Sequence, residues 1–206
     1  MPHDHDHDHD FDGASPAYRR ALVAVIVING ALFLVEMTAG ALAGSRALQA
    51  DALDFGADAL TYAISLWAIG RHPGLRARVA QLKGVSLAAM ALAILGLAIR
   101  DMLAPGLPRA EVMGAVGLAA LAANVASVLI LMRWRDGDAN VRSVWLCSRN
   151  DAIGNVAVMG AALLVAWLGS GWPDLVVAVA MAGLFLSSSV QILRRAGAER
   201  EHLHQH

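Results

Sequence analysis

Asp51, Asp54 and Asp58, in the stretch "DALDFGAD" at 51–58, put three carboxylates inside an otherwise apolar segment. On a helix, at about 100° per residue, the three fall within about 60° of one another, and Asp54 and Asp58 occupy successive turns of one face. Carboxylates this close repel, so an empty face of this kind holds protons that an entering cation would displace. A second stretch complements it. "CSRND" at 147–151 places Cys147 and Asp151 at i and i+4, with Asn150 beside them and Arg149 roughly opposite. Two helices that each offer a pair one turn apart could close a four-ligand shell of Asp54, Asp58, Cys147 and Asp151. A thiolate among carboxylates suits a borderline-soft divalent ion such as zinc or cadmium and fits magnesium or calcium poorly. Asp51 and Asn150 are secondary candidates for the same shell.

The elements that must position these residues are membrane helices. Of 206 residues 57% are hydrophobic and only 16% charged, with a mean hydropathy of +0.54, far from the balance of a soluble domain. Apolar runs such as Ala21 to Ala43 and Val112 to Met132 reach the roughly 20 residues that a span needs. Six spans are predicted, at 18–43, 47–70, 82–103, 110–134, 141–169 and 173–195. Gly/Pro breaks separate them: "AGSR", "RHPG", "APGLP", "RDGDAN" and "GSGWP". Continuous apolar runs argue against a β-barrel, whose strands alternate. The expected fold class is therefore an all-α membrane protein with six transmembrane helices. Residues 18–196 would form the membrane domain, flanked by a His/Asp-rich tail at 1–17 and a short His-containing tail at 197–206.

Basic residues gather at the N-terminal flank (Arg19, Arg20), the 2–3 connection (Arg71, Arg76, Arg78, Lys83), the 4–5 connection (Arg133, Arg135, Arg142) and the end of the last span (Arg194, Arg195, Arg200). Only Arg46, Arg100 and Arg109 fall on the other side. The positive-inside rule then puts both termini in the cytoplasm of a multi-pass inner-membrane protein, and the acidic, His-rich start is unlike a signal peptide. A single cysteine excludes an internal disulfide. The net charge of −1 favours no nucleic-acid partner. With no His-Glu-x-x-His signature and no sizeable soluble domain, an enzyme is not expected.

An acid at the centre of a span costs about 2.5–3.5 kcal/mol, so several together cost on the order of 10 kcal/mol, which pairing, protonation, water or a bound cation must offset. Competing roles follow from that list. Asp51 could join helices near the membrane surface. Asp54 and Asp58 could pair with Arg149 or share protons in a network, and Cys147 alone would be ordinary packing. Glu36 and Arg149 suit a structural ion pair, and Asn124 and Asn155 suit helix-joining hydrogen bonds.

Two separated motifs carry a family likeness. "FLVEMTAGALAGSRALQADALDFGADALTYAISLWAIG" resembles the first two helices of the cation diffusion facilitator family, where a "GSLALLADALHSLSDA"-type stretch supplies metal ligands. The chain from "NVRSVWLCSRNDAIGNVAV" onward resembles the last two, where members read "HxxxDALGSVGV" and then "DP". The likeness covers residues 18 to about 196. It implies export of a divalent metal ion, mostly zinc, in exchange for protons, commonly by a homodimer held here by its membrane helices. The metal would be the transported ligand, with no cofactor. The family's ligand pairs fall on Asp54 with Asp58 and on Cys147 with Asp151. Cys147 stands where the family usually has histidine, so proton exchange would pass to a thiol that ionises near pH about 8.5 in reference peptides, or Asn150 would take its place. The family's usual cytoplasmic metal-binding domain has no counterpart in these residues.

"HDHDHDHD" at 3–10 offers His3, His5, His7 and His9 among carboxylates, a weak and variable metal collector or simply a solvated tail. A non-transporting metal sensor or accessory subunit is the alternative that would rely on such tails.

Overall fold

A computed structural model describes the backbone of residues 15–67, 73–104, 106–134 and 139–204, and the side chains of these apart from 65, 73–80, 83, 134, 139–150, 153 and 195–204. The His/Asp tail, with His3, His5, His7 and His9, lies outside the described residues.

Six helices follow one another: α1 (Pro16–Ala43), α2 (Arg46–Trp67), α3 (Pro73–Met102), α4 (Ala110–Leu131), α5 (Ala139–Leu168) and α6 (Trp172–His204), with a 3₁₀ turn at Met132–Trp134 extending α4. The fold is all-helical, as composition and spacing indicate. Among the described residues four helical stretches are long and apolar enough to cross a membrane: Pro16–Ala43, Gly84–Met102, Ala110–Leu131 and Trp172–Arg194. The two helices outside that set, α2 and α5, are those that carry the candidate ligands. Their polar residues are compatible with a membrane only because the other helices surround them.

The helix ends are set by local chemistry. Ser15 caps α1 by accepting from the Tyr18 N–H (3.1 Å), and Pro16 fills the first turn, where no donor is needed. Gly44, at φ 72°, ends α1 in the left-handed region, and the Ser45 N–H returns to the Gly40 carbonyl (2.9 Å). Ser45 then caps α2 through the Leu48 N–H (3.1 Å). The predicted "AGSR" break is thus a turn of two residues, tight enough that a side chain at Gly40 would meet Gln49 Cγ at 2.9 Å.

α1 packs chiefly on α2, α4 on α5 and α3 on α6, with thinner contacts where α3 and α6 meet α2 and where α6 meets α5. The core is built of small and branched residues, among them Ala47, Leu48, Leu53, Ala91, Val158 and Val165, which let the backbones approach closely. Outside it, Val27, Leu34, Leu163, Trp167 and Leu184 are exposed, the surface a bilayer solvates. The end of α1, the starts of α2, α4 and α6 and the end of α3 meet at one end of the bundle, where the Arg109 N–H donates to the Ala43 carbonyl (3.0 Å) and its guanidinium to Leu42 O (2.7 Å). This is the distal end, opposite the start of α1 and the end of α6.

Candidate metal centre

α2 presents its three aspartates to three different environments. Asp54 is half-buried and lines a cavity of about 600 Å³ at the seam of α2, α5 and α6, together with Asp151, Gly154, Met181, Phe185 and Ser188. One carboxylate from each of two helices thus faces one space. Asp58, one turn further along α2 and 7% exposed, accepts from the Tyr62 hydroxyl, the residue one more turn on. Asp51, 1% exposed, joins a buried network instead. The Asn155 amide donates to its Oδ2 (2.6 Å) and accepts from Asn124 Nδ2 (2.8 Å), linking α2, α5 and α4. The expected role of Asn124 and Asn155 in joining helices is what the structure shows.

Among the described residues no three His, Cys, Asp or Glu side chains converge on a single point; of the four expected ligands, Asp54 and Asp151 line one cavity. α5 is continuous through 147 and 151, which preserves the i, i+4 spacing, while the side chains of Cys147, Arg149 and Asn150 lie outside the described residues. The expected Glu36–Arg149 pair has no described counterpart. Glu36 is fully buried, within electrostatic reach of Asp51 and Asp54, and neither carboxyl oxygen has a hydrogen-bond partner among the described residues.

The serines at 187–189 divide between roles. Ser188 lines the cavity, and Ser189 is buried and donates to Phe185 O (2.8 Å). Ser189 therefore faces inward, while Ser187 and Ser188 are exposed. Tyr62 went unremarked in the sequence, although its spacing of four from Asp58 was a visible signal. Tyr62→Phe is expected to weaken zinc binding by about fivefold without abolishing it, since one hydrogen bond to a carboxylate is lost while the carboxylate stays. Isothermal titration of the detergent-solubilised protein measures this.

Geometry supplies two acids on one cavity, and sequence comparison supplies their context. Residues 22–199 match the cation efflux transmembrane domain. The chain belongs to the cation efflux family. Zinc transporter ZitB of Escherichia coli is 31% identical over 189 residues, covering 85% of this chain and 60% of that protein. Metal cation efflux system protein CzcD of Cupriavidus metallidurans is 26% identical over 189 residues, covering 86% of this chain and 60% of its own length. This cation efflux protein therefore spans about three fifths of the relatives it matches.

Proposed function

We propose that this protein exports a divalent metal ion, zinc or cadmium by preference, across the inner membrane in exchange for protons, with both termini in the cytoplasm. The observation that carries the proposal is the meeting of Asp54 and Asp151 at one cavity. Two carboxylates match the charge of a divalent ion, and two helices that can separate give the site a way to open.

Helix register supports the remaining ligands. Asp51 bonds Asn155 and Asp54 shares a cavity with Asp151, so α2 and α5 run antiparallel past each other. One turn further toward the termini, the same register sets position 58 level with position 147. Asp58 and Cys147 would then complete the shell, with Asn150 and Asp51 in reserve. The ion enters from the cytoplasm, aided by the His/Asp tail, and protons leave the ligands as it binds. Rocking of the helices exposes the site to the other side, where protons displace the metal. Homodimerisation through the membrane helices belongs to the same proposal.

Proteoliposomes loaded with a zinc-sensitive dye and given a pH gradient test it: zinc uptake should follow the gradient and collapse when protons equilibrate. In that assay Cys147→Ser is expected to shift the preference from zinc toward manganese, because an oxygen donor replaces the softer sulfur; an unchanged preference removes the thiol from the shell. Deletion of residues 1–14 should slow uptake at low zinc and leave its maximum intact. A sensor that relies on its tails would instead lose its whole response.

A further inference from the structure

The distal end of the seam beside the cavity is closed by polar groups that the metal site does not use. Asp174, in the first turn of α6 and 1% exposed, accepts from the Ser45 hydroxyl (2.6 Å) and from the backbone N–H groups of Arg46 (2.7 Å) and Ala47 (3.1 Å). A carboxylate of α6 thereby sits on the N-terminus of α2, where the exposed N–H groups and the helix dipole favour it. Arg46 extends the contact: its Nε donates to Asp101 of α3 (2.8 Å) and its Nη1 to Gln49 (2.7 Å). Arg100 adds a second donor to Asp101 (2.9 Å).

Apart from the bonds to Gln49 and Asp101 made within one helix, every link in this clasp runs from α2 to the α3/α6 pair. Those are the bodies separated by the thinner packing, and their seam holds the cavity beside Asp54. One seam therefore carries a cavity partway along and a polar clasp at its distal end. Close-packed apolar side chains would seal that end with no partner to replace them on opening. Charged groups at a partly exposed rim can exchange each other for water and return. The Arg46 and Asp101 side chains are only partly buried, at 15% and 23% exposure, as such an exchange requires.

We infer that the clasp of Asp174 with Ser45 and Arg46, and of Arg46 with Asp101, is the distal gate of the transport cycle, closed in this structure and opened to let the ion leave between α2 and α6. The inference rests on the reading of the chain as a transporter, and its test reads the gate without any metal. Val177 lines the cavity one turn from Asp174. The full chain carrying Val177→Cys, in sealed vesicles, is treated with a membrane-impermeant maleimide from each face in turn. Labelling at position 177 is read by mass spectrometry, so that Cys147 does not contribute.

With the clasp intact, labelling from the distal face should be slow. Arg46→Gln and Asp101→Asn are each expected to raise it by about tenfold, the population shift that follows loss of one charge-assisted link. Asp174→Asn should raise it further, and if that variant does not fold, the two rim variants decide alone. Unchanged labelling in both rim variants overturns the gate, as does an equal rise from both faces, which marks general loosening. Failure of the transporter reading shows separately, as no gradient-driven zinc uptake by the parent protein beside an altered labelling rate in the rim variants.

Discussion

Asp151→Ala, reconstituted into zinc-dye-loaded vesicles, is expected to carry no more zinc than protein-free vesicles, and Asp54→Ala the same. Each carboxylate supplies one of the two charges that face the cavity at the seam of α2, α5 and α6. Removing either leaves a divalent ion half-neutralised in surroundings of Met181, Leu184 and Phe185, where an uncompensated charge costs several kcal/mol. A loss of about 3 kcal/mol already weakens binding more than a hundredfold. Asp151→Asn keeps the volume and one oxygen, so its equally large loss would assign the effect to charge rather than to packing. Expression and gel-filtration profiles should stay those of the parent, since both side chains border open space. Normal transport by both alanine variants would remove the cavity from the transport path and leave the two acids as structural groups.

The helix count was readable because apolar runs and Gly/Pro breaks coincide with real ends: the "AGSR" break is the Gly44 turn with its left-handed φ of 72°. Two helices run beyond their predicted spans, at 82–103 and 173–195, for one reason, while the apolar stretches themselves, Gly84–Met102 and Trp172–Arg194, agree with those spans. Hydropathy marks the lipid-exposed part of a helix, whereas a helix continues wherever its backbone bonds and side chains allow. α3 begins at Pro73, well before the predicted 82, because "PGLRARVAQLK" starts with proline in the first turn and continues with good helix formers. α6 runs to His204, past the predicted 195, through "RRAGAEREHLH", so much of the proposed C-terminal tail is helix.

The site was partly legible for a related reason. Spacing along α2 and α5 shows which residues share a helical face. It is silent on what each faces across the gap. Asp54 meets a cavity and Asp51 meets Asn155, outcomes fixed by neighbours on α5 and α6 far away in sequence, whereas Asp58 meets Tyr62 of its own helix. The distal clasp was hidden likewise. Ser45 and Asp174 are 129 residues apart, and nothing in the sequence around Arg46 shows that its guanidinium reaches Asp101 of α3.

Asn155→Leu is expected to destabilise the protein by about 2–4 kcal/mol, read as a lower denaturant midpoint in detergent, and to weaken zinc binding by about tenfold. An average side-chain hydrogen bond between membrane helices contributes only about 0.6 kcal/mol, so the larger figure needs a reason. Asn155 is fully buried and serves two partners, donating to Asp51 and accepting from Asn124. Without its amide, Asp51 is left beside two further acids, Asp54 and the buried Glu36. The cost is that of a stranded carboxyl group, so adding Asp51→Leu should recover part of the loss. A coupling of about 1–2 kcal/mol in the double-mutant cycle is the expected signature, and strict additivity would show that the bond contributes nothing. The loss of zinc affinity follows from position. Asp51 lies one turn from Asp54 on α2, and Asn155 one turn from Asp151 on α5, so the Asp51–Asn155 bond holds the register in which the two cavity acids oppose each other. A variant that lost stability but bound zinc as tightly as the parent would show that the acids keep their places without it.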